Sequence, residues 1–202
     1  MSEVATALLT ELDVTLSRVT PLRRLAMLRQ MTDLYFAGAA SYTAEQVAVF
    51  DALIKRLTQG VAPKALAELS SRLAALDGAP ADTVLRLSSD DDLAVSGPVL
   101  EKSAQLKDGD LVGIAKTKGQ GHLLAIAGRA HIADTVTDVL VERGNQAVKR
   151  KVTANEGANI SENSFARLIS DARTDKDLAS IVRKREDIPA ELKPFLEMAL
   201  AG

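Results

Sequence analysis

Three stretches decide how the chain folds: residues 132–143, IADTVTDVLVER; residues 160–171, ISENSFARLISD; and residues 188–199, IPAELKPFLEMA. Ile132, Ile160 and Ile188 stand 28 residues apart, as do Leu140, Leu168 and Leu196, while Ile126 and Val182 fall two such steps apart with Ala154 between them. A fixed period of this length, each copy holding two short helical patterns, marks an α-solenoid, whose units cannot bury their apolar faces alone and must stack. The repeat therefore predicts an all-α chain: a right-handed α-solenoid of short helix pairs with a period of about 28 residues.

Working outward, the periodicity predicts helices to about Ala127, from Ile132 through Leu140, and over 145–153, 161–171, 175–184 and 189–200. Toward the N-terminus the repeat degenerates. With Leu106 as counterpart of Ile132 and Ile114 of Leu140, the earlier unit, helices over 106–115 and 121–127, is 26 residues long. Before it come short patterns over 83–88 and 91–102, the second expected to bend or break at Gly97-Pro98. Asp77-Gly78-Ala79-Pro80 is the best candidate boundary, giving an N-terminal helical region over 1–79 and the repeat region over 80–202, with one continuous domain as the alternative.

The N-terminal helices are longer and separately capped. Thr20 as N-cap with Pro21 behind it starts one that ends at Gly38. Thr43 with Gln46 reads as a capping box for the next, closed by Gly60, and Pro63 opens another through Leu76. A weaker pattern, Val4, Leu8, Leu9, Leu12 and Leu16, precedes them. In the helix after Thr20, Arg23, Arg24 and Arg29 line one side and Met31, Leu34 and Phe36 the other. This bundle reads as a cap on the open solenoid end, with a homodimer interface as the alternative use.

Composition narrows the classes of function. Apolar residues make up 47% of the chain and aromatics 3%, with no Trp, which suits a core of Leu, Ala, Val and Ile in helices. The absence of Cys removes disulfides, thiolate zinc sites and Cys nucleophiles together. No basic leader and no long apolar run is present, so a soluble, cytoplasmic protein that does not enter the membrane is expected. Residues 1–101 carry 9 Lys and Arg against 13 Asp and Glu, and residues 102–202 carry 16 against 14. Duplex-binding proteins show a clear basic excess, so nucleic acid is disfavoured as a partner.

The residues are specific enough to carry a family resemblance. The runs 134–144, 152–158, 165–168 and 185–189, with 34–38, 45–47, 92–100, 114–118 and 122–126 upstream, resemble the DUF2336 family of alphaproteobacteria over nearly all the chain after about residue 20. What the resemblance implies is a HEAT-like helical repeat in a bacterial protein, with no catalytic or binding residues to carry over. Members of that family are often longer than this chain.

Candidate sites are few. His122 begins a helix and His131 lies in the following turn, with no HxxxH or HExxH spacing, and both read as structural. Asp90-Asp91-Asp92 reads as an N-terminal cap cluster rather than a metal site. Asn155-Glu156-Gly157-Ala158-Asn159 lacks a phosphate-loop pattern, and a helix-to-helix turn with Gly157 at positive φ is the better account, as for Gly119-Gln120-Gly121. Ser161 reads as an N-cap, since neither it nor Ser164 has a paired base. Catalytic residues, cofactor and metal are accordingly all expected to be absent. One charged feature stands out. Arg143, Lys149, Arg150 and Lys151, followed by Arg183, Lys184 and Arg185 in the next unit, form a candidate interaction ridge, against the plainer reading of cations placed near helix C-termini.

The expectation is a non-enzymatic scaffold or adaptor that binds another protein. Two alternatives belong to other classes: a regulatory sensor taking a phosphorylated partner or small ligand through a basic groove, and a nucleic-acid reader of the HEAT-like glycosylase type, for which the chain is poor in aromatics.

Overall fold

The computed structural model describes residues 14–16 and 18–201. Among them are twelve α-helices, one short 3-10 turn and no strand. The helices are α1 (Pro21–Gly38), α2 (Ala44–Leu57), α3 (Pro63–Ala74), α4 (Ala81–Ser88), α5 (Leu93–Lys102) and α6 (Asp108–Thr117). They continue as α7 (Gln120–Ile126), α8 (Asp134–Arg143), α9 (Gln146–Ala154), α10 (Glu162–Ala172), α11 (Lys176–Arg183) and, after the 3-10 turn Ala190–Leu192, α12 (Lys193–Ala201). The weak N-terminal pattern lies almost wholly outside the described residues.

Local chemistry sets the boundaries. The Thr20 hydroxyl accepts the Arg23 N–H at 3.4 Å with Pro21 at the first helical position, and Thr43 and Gln46 form the full reciprocal box at the start of α2. Gly60 and Gly78 adopt φ of 69° and 74° in the turns after α2 and α3, a region that side chains disfavour. Helix α4 begins behind Pro80, which has no capping side chain, and its cap comes from elsewhere in the fold. From α2, the buried Asp51 carboxylate accepts the Asp82 N–H at 2.7 Å, the Thr83 N–H at 2.8 Å and the Thr83 hydroxyl at 2.7 Å. A carboxylate facing a helix N-terminus satisfies its orphan donors and meets its positive dipole end.

The helices pack in two rows. In one, α3 lies on α5, α5 on α7, α7 on α9 and α9 on α11; in the other, α2 lies on α4, α6 on α8, α8 on α10 and α10 on α12, with α4 and α6 set further apart. Side chains join α1 to α3: Arg72 bonds Asp33 at 2.9 Å and lies 4.5 Å over the Phe36 ring. Between the rows runs a single apolar core, from Leu16 to Leu196, built from Leu87, Val99, Leu123, Leu140, Val152, Phe165, Leu168 and Val182 among others. Because α3 packs against both α4 and α5, that core crosses residue 80 without a break.

The 28-residue period belongs to one row. Helices α8 and α10 and the 3-10 turn begin at 134, 162 and 190, and Leu140, Leu168 and Leu196 are all buried. In the other row α7, α9 and α11 begin at 120, 146 and 176, so the middle helix is displaced toward the first. Val152, not Ala154, therefore fills the buried place between Ile126 and Val182, and Ala154 is exposed.

Four further local readings differ from the structure. Helix α5 runs unbroken through Gly97-Pro98: Pro98 forfeits one backbone bond, and the buried Val95, Val99 and Leu100 hold the turn in place. Gly157 does not adopt positive φ. It is required by close approach instead, because a Cβ there would overlap the Ala130 carbonyl where the Ile132 N–H bonds the Gly157 carbonyl at 3.0 Å and the Asn159 N–H bonds that of Ile132 at 2.9 Å. Gly119 and Gly121 likewise lack positive φ, and a Cβ at Gly121 would strike Leu93. On α1 the buried face is Leu28, Thr32 and Tyr35, while Leu34 is 55% exposed.

The Asp51 cap generates a prediction. Asp51→Asn places an NH2 group against backbone donors, and the variant is expected to lose about 2 kcal/mol and roughly 4–8 °C in thermal midpoint. Circular-dichroism melts check this, and a midpoint equal to the parent's would remove Asp51 from the account of how α4 starts.

Candidate interaction surface

The seven cations of the candidate ridge do not form one. On α9, Lys149, Arg150 and Lys151 follow one another at about 100° per residue and so face different neighbours. Lys149 Nζ reaches Asp171 at 2.6 Å, and Lys151 Nζ lies 3.9 Å from Glu101 on α5. Arg150 clamps the buried Asp175 through Nε at 2.9 and 3.0 Å and Nη2 at 2.7 Å, with Nη1 on Asp177 at 2.8 Å. Asp175 is also the N-cap of α11, accepting the Leu178 N–H at 3.0 Å. One carboxylate thus starts α11 and ties it to α9.

Two of the arginines close helix C-termini across the row. Arg143, at the end of α8, donates to the Ala115 carbonyl and, at 3.4 Å, to that of Lys118, where α6 ends. Arg185, just after α11, donates to the carbonyls of Thr153, Asn155 and Ala158 at 3.1, 2.8 and 2.9 Å, where α9 ends. Asp187 steadies it at 2.5 Å and the Phe165 ring lies 5.7 Å from the guanidinium carbon. Only Arg183 and Lys184 of the seven are exposed with no side-chain hydrogen bond or ion pair among the described residues.

A third member of this device was not singled out in the sequence. Arg129, after α7, donates to the carbonyls of Leu100 and Ser103 at 2.6 and 2.9 Å, where α5 ends. Burial draws its guanidinium below the ordinary value, with Asp108 opposing. Arg129 and Arg185 are two 28-residue steps apart, and the place between them is Gly157. At that step Asn155 takes over, its amide donating to the Ala127 and Arg129 carbonyls at 3.1 and 2.7 Å. The period, applied to charged as well as apolar positions, carried the signal.

Apart from His131, the other candidates also have structural partners. His122 is buried with Nε2 2.9 Å from the Asp90 carbonyl, while His131 is exposed. Asp92 caps α5 through the Ala94 N–H at 2.9 Å, Asp90 accepts the Asp92 N–H at 3.0 Å, and Asp91 pairs with Lys118 at 2.6 Å. Ser161 caps α10 through the Ser164 N–H at 3.2 Å, and both hydroxyls donate to Asp138 at 2.5 and 2.6 Å. No group of three or more His, Cys, Asp or Glu that could hold a metal ion occurs among the described residues, and no helix among them is long and apolar enough to cross a membrane.

The concave surface of the described residues includes three hollows in the C-terminal half. A polar hollow of about 730 Å³ surrounds the Lys149–Asp171 and Arg150–Asp175 pairs, and another of about 610 Å³ is lined by Thr153, Glu156, Ile181, Lys184 and Arg185. The third, about 400 Å³, lies between α10 and α12 and is mainly apolar.

Two predictions follow from these contacts. Arg185→Ala orphans three carbonyls and is expected to cost about 2–3 kcal/mol in urea denaturation, whereas Arg183→Ala leaves the midpoint unchanged; equal effects would refute the distinction between them. The hydrogen bonds from Arg150, opposed by burial and helped by the Leu178 amide, hold the Asp175 carboxyl below its ordinary value of 3.8. Its contribution to stability is therefore present above that value and lost as pH falls through the lower folded-state one. Asp175→Asn is expected to be less stable than the parent at pH 7, with the difference closing below about pH 3.8; a difference constant with pH would contradict the pairing.

The model of the DUF2336 family, described as an uncharacterised protein conserved in bacteria, matches residues 95–194, from within α5 to the start of α12. The match is narrower than the resemblance read from the residues, and 34–38 and 45–47 lie outside it. No curated protein and no solved structure matches the chain. Through the segment that contains Arg129, Arg143, Asn155 and Arg185, the chain belongs to the DUF2336 family.

Proposed function

We propose that the chain is a non-enzymatic scaffold or adaptor of the bacterial cytoplasm, built as a right-handed HEAT-like α-solenoid that binds another protein. The observation that carries the reading is the stacking of helices on those two places along, in two rows interrupted only between α4 and α6 from α2 onward, with one row in a 28-residue register. Such an array buries its inner faces and leaves a long outer surface, the usual use of which is to hold a partner. The polar groups that resemble chemistry support the same reading: Asp175, Asp138, His122 and Arg185 are each occupied in joining one helix to another.

The exposed, unpaired Arg183 and Lys184 favour one further reading, a regulatory surface for a phosphorylated partner. Charge reversal at Arg183 and Lys184 tests it, because these two are free of structural work; reversal at Arg150 would break the Asp175 clamp and confuse binding with folding.

The test of the scaffold reading is affinity capture from native bacterial lysate at low and high salt, with and without nuclease. A discrete protein retained after nuclease is the expected result. Retention of nucleic acid alone, or of nothing while a metabolite raises the thermal midpoint, would overturn it.

A further inference from the structure

The groove between α10 and α12 breaks the pattern of the surface around it. It is lined on one side by Ala166 and Ile169 of α10 with Arg173 just past its end, and on the other by Leu192 of the 3-10 turn and Phe195 and Met198 of α12, with Phe195 59% and Met198 73% exposed. The same places one 28-residue step earlier, between α8 and α10, are Asp138 for Ala166, Ser164 for Leu192, Arg167 for Phe195 and Ser170 for Met198. Where the repeat presents polar side chains, this unit presents an apolar furrow. Exposed aromatic and Met side chains beside a concave apolar strip mark an interaction site rather than an ordinary solvated face.

Its shape and charge restrict the occupant. The lining residues recur at helical spacing on both walls, and Ala166 to Arg173 spans about 10 Å at 1.5 Å per residue, two turns of a helix. Arg173 is the only charged residue of the lining, is exposed, and makes no ion pair among the described residues. A second copy pressed groove to groove would bring another Arg173 and no carboxylate, and two turns of helix fall well short of the ~1,200 Å² that stable dimers bury.

We propose that this groove receives an amphipathic helix of a partner protein, with apolar anchors at i, i+3, i+4 and i+7 and a carboxylate placed against Arg173. The inference rests on the scaffold reading and names the docking face and partner chemistry within it.

The probe is a fluorescent, end-capped helical peptide about sixteen residues long with leucines at that spacing and glutamates flanking both ends, alongside a twin with lysines in place of the glutamates. Anisotropy titrations of the full chain are expected to show saturable binding of the glutamate peptide. Phe195→Glu and Met198→Glu are expected to weaken it about tenfold or more, since truncating a central anchor costs at least that. Arg173→Glu should weaken the glutamate peptide and strengthen the lysine twin. These side chains are exposed, and circular dichroism confirms that each variant folds. Absence of binding, binding indifferent to Phe195→Glu and Arg173→Glu, or self-association abolished by Phe195→Glu would overturn the proposal. Lysate capture separates the two readings: a protein held equally by the parent and by Phe195→Glu leaves the scaffold standing and removes this face, whereas capture of no protein at all removes the scaffold.

Discussion

The C-terminal carbonyls of short helices are the constraint on which this structure depends. Every helix leaves its last four carbonyls without partners inside itself, and here helices of seven to eleven residues end roughly every fourteen residues along the repeat region. Burying those ends between stacked neighbours is tolerable only if donors arrive from outside. Arg129, Arg143, Asn155 and Arg185 are those donors, each reaching from one helix end to the end of the helix two places back. Arginine suits the task because its planar fork offers several donors in fixed directions and keeps its charge when partly buried. Asp51 and Asp138 perform the mirrored task at N-termini, accepting from α4 and from the serines that open α10.

Apolar packing fills the space these polar contacts frame. The α7–α9 step shows how tightly: Ala130 and Gly157 meet backbone to backbone, and the Ile132 and Ala158 strands of chain form a single parallel bridge. The shorter offset of α9 moves Val152 into the core, and at the same step Asn155 rather than an arginine supplies the donors. Geometry and donor choice change together there, because the longer guanidinium arm has no place where two backbones touch.

Much of this was legible. The spacing of Ile and Leu carried the all-helical class of the fold, and Thr20-Pro21, Thr43/Gln46 and Ser161 carried helix starts, since those signals are local. Gly157 was legible as a constrained glycine but not in kind, because left-handed backbone and close approach both select the residue without a Cβ. Gly97-Pro98 reads as a break until the burial of Val95 and Val99 is known. The cation run misled more deeply. Adjacent in sequence, Lys149, Arg150 and Lys151 diverge around a helix, and their partners Asp171, Asp175 and Glu101 lie on three other segments that no short window connects. The apolar furrow needed the folded register, since Phe195 and Met198 read alone as one face of an ordinary amphipathic helix.

Stacking of helices on those two places along also shapes how the chain reaches its native state. Contacts that join residues some thirty positions apart, such as Arg185 with Asn155 and Arg129 with Leu100, are close in sequence by the standards of a 200-residue protein. Contacts of this modest sequence separation close short loops, which goes with rapid folding. An injury at one step is then felt by the helices beside it before it is felt by the whole.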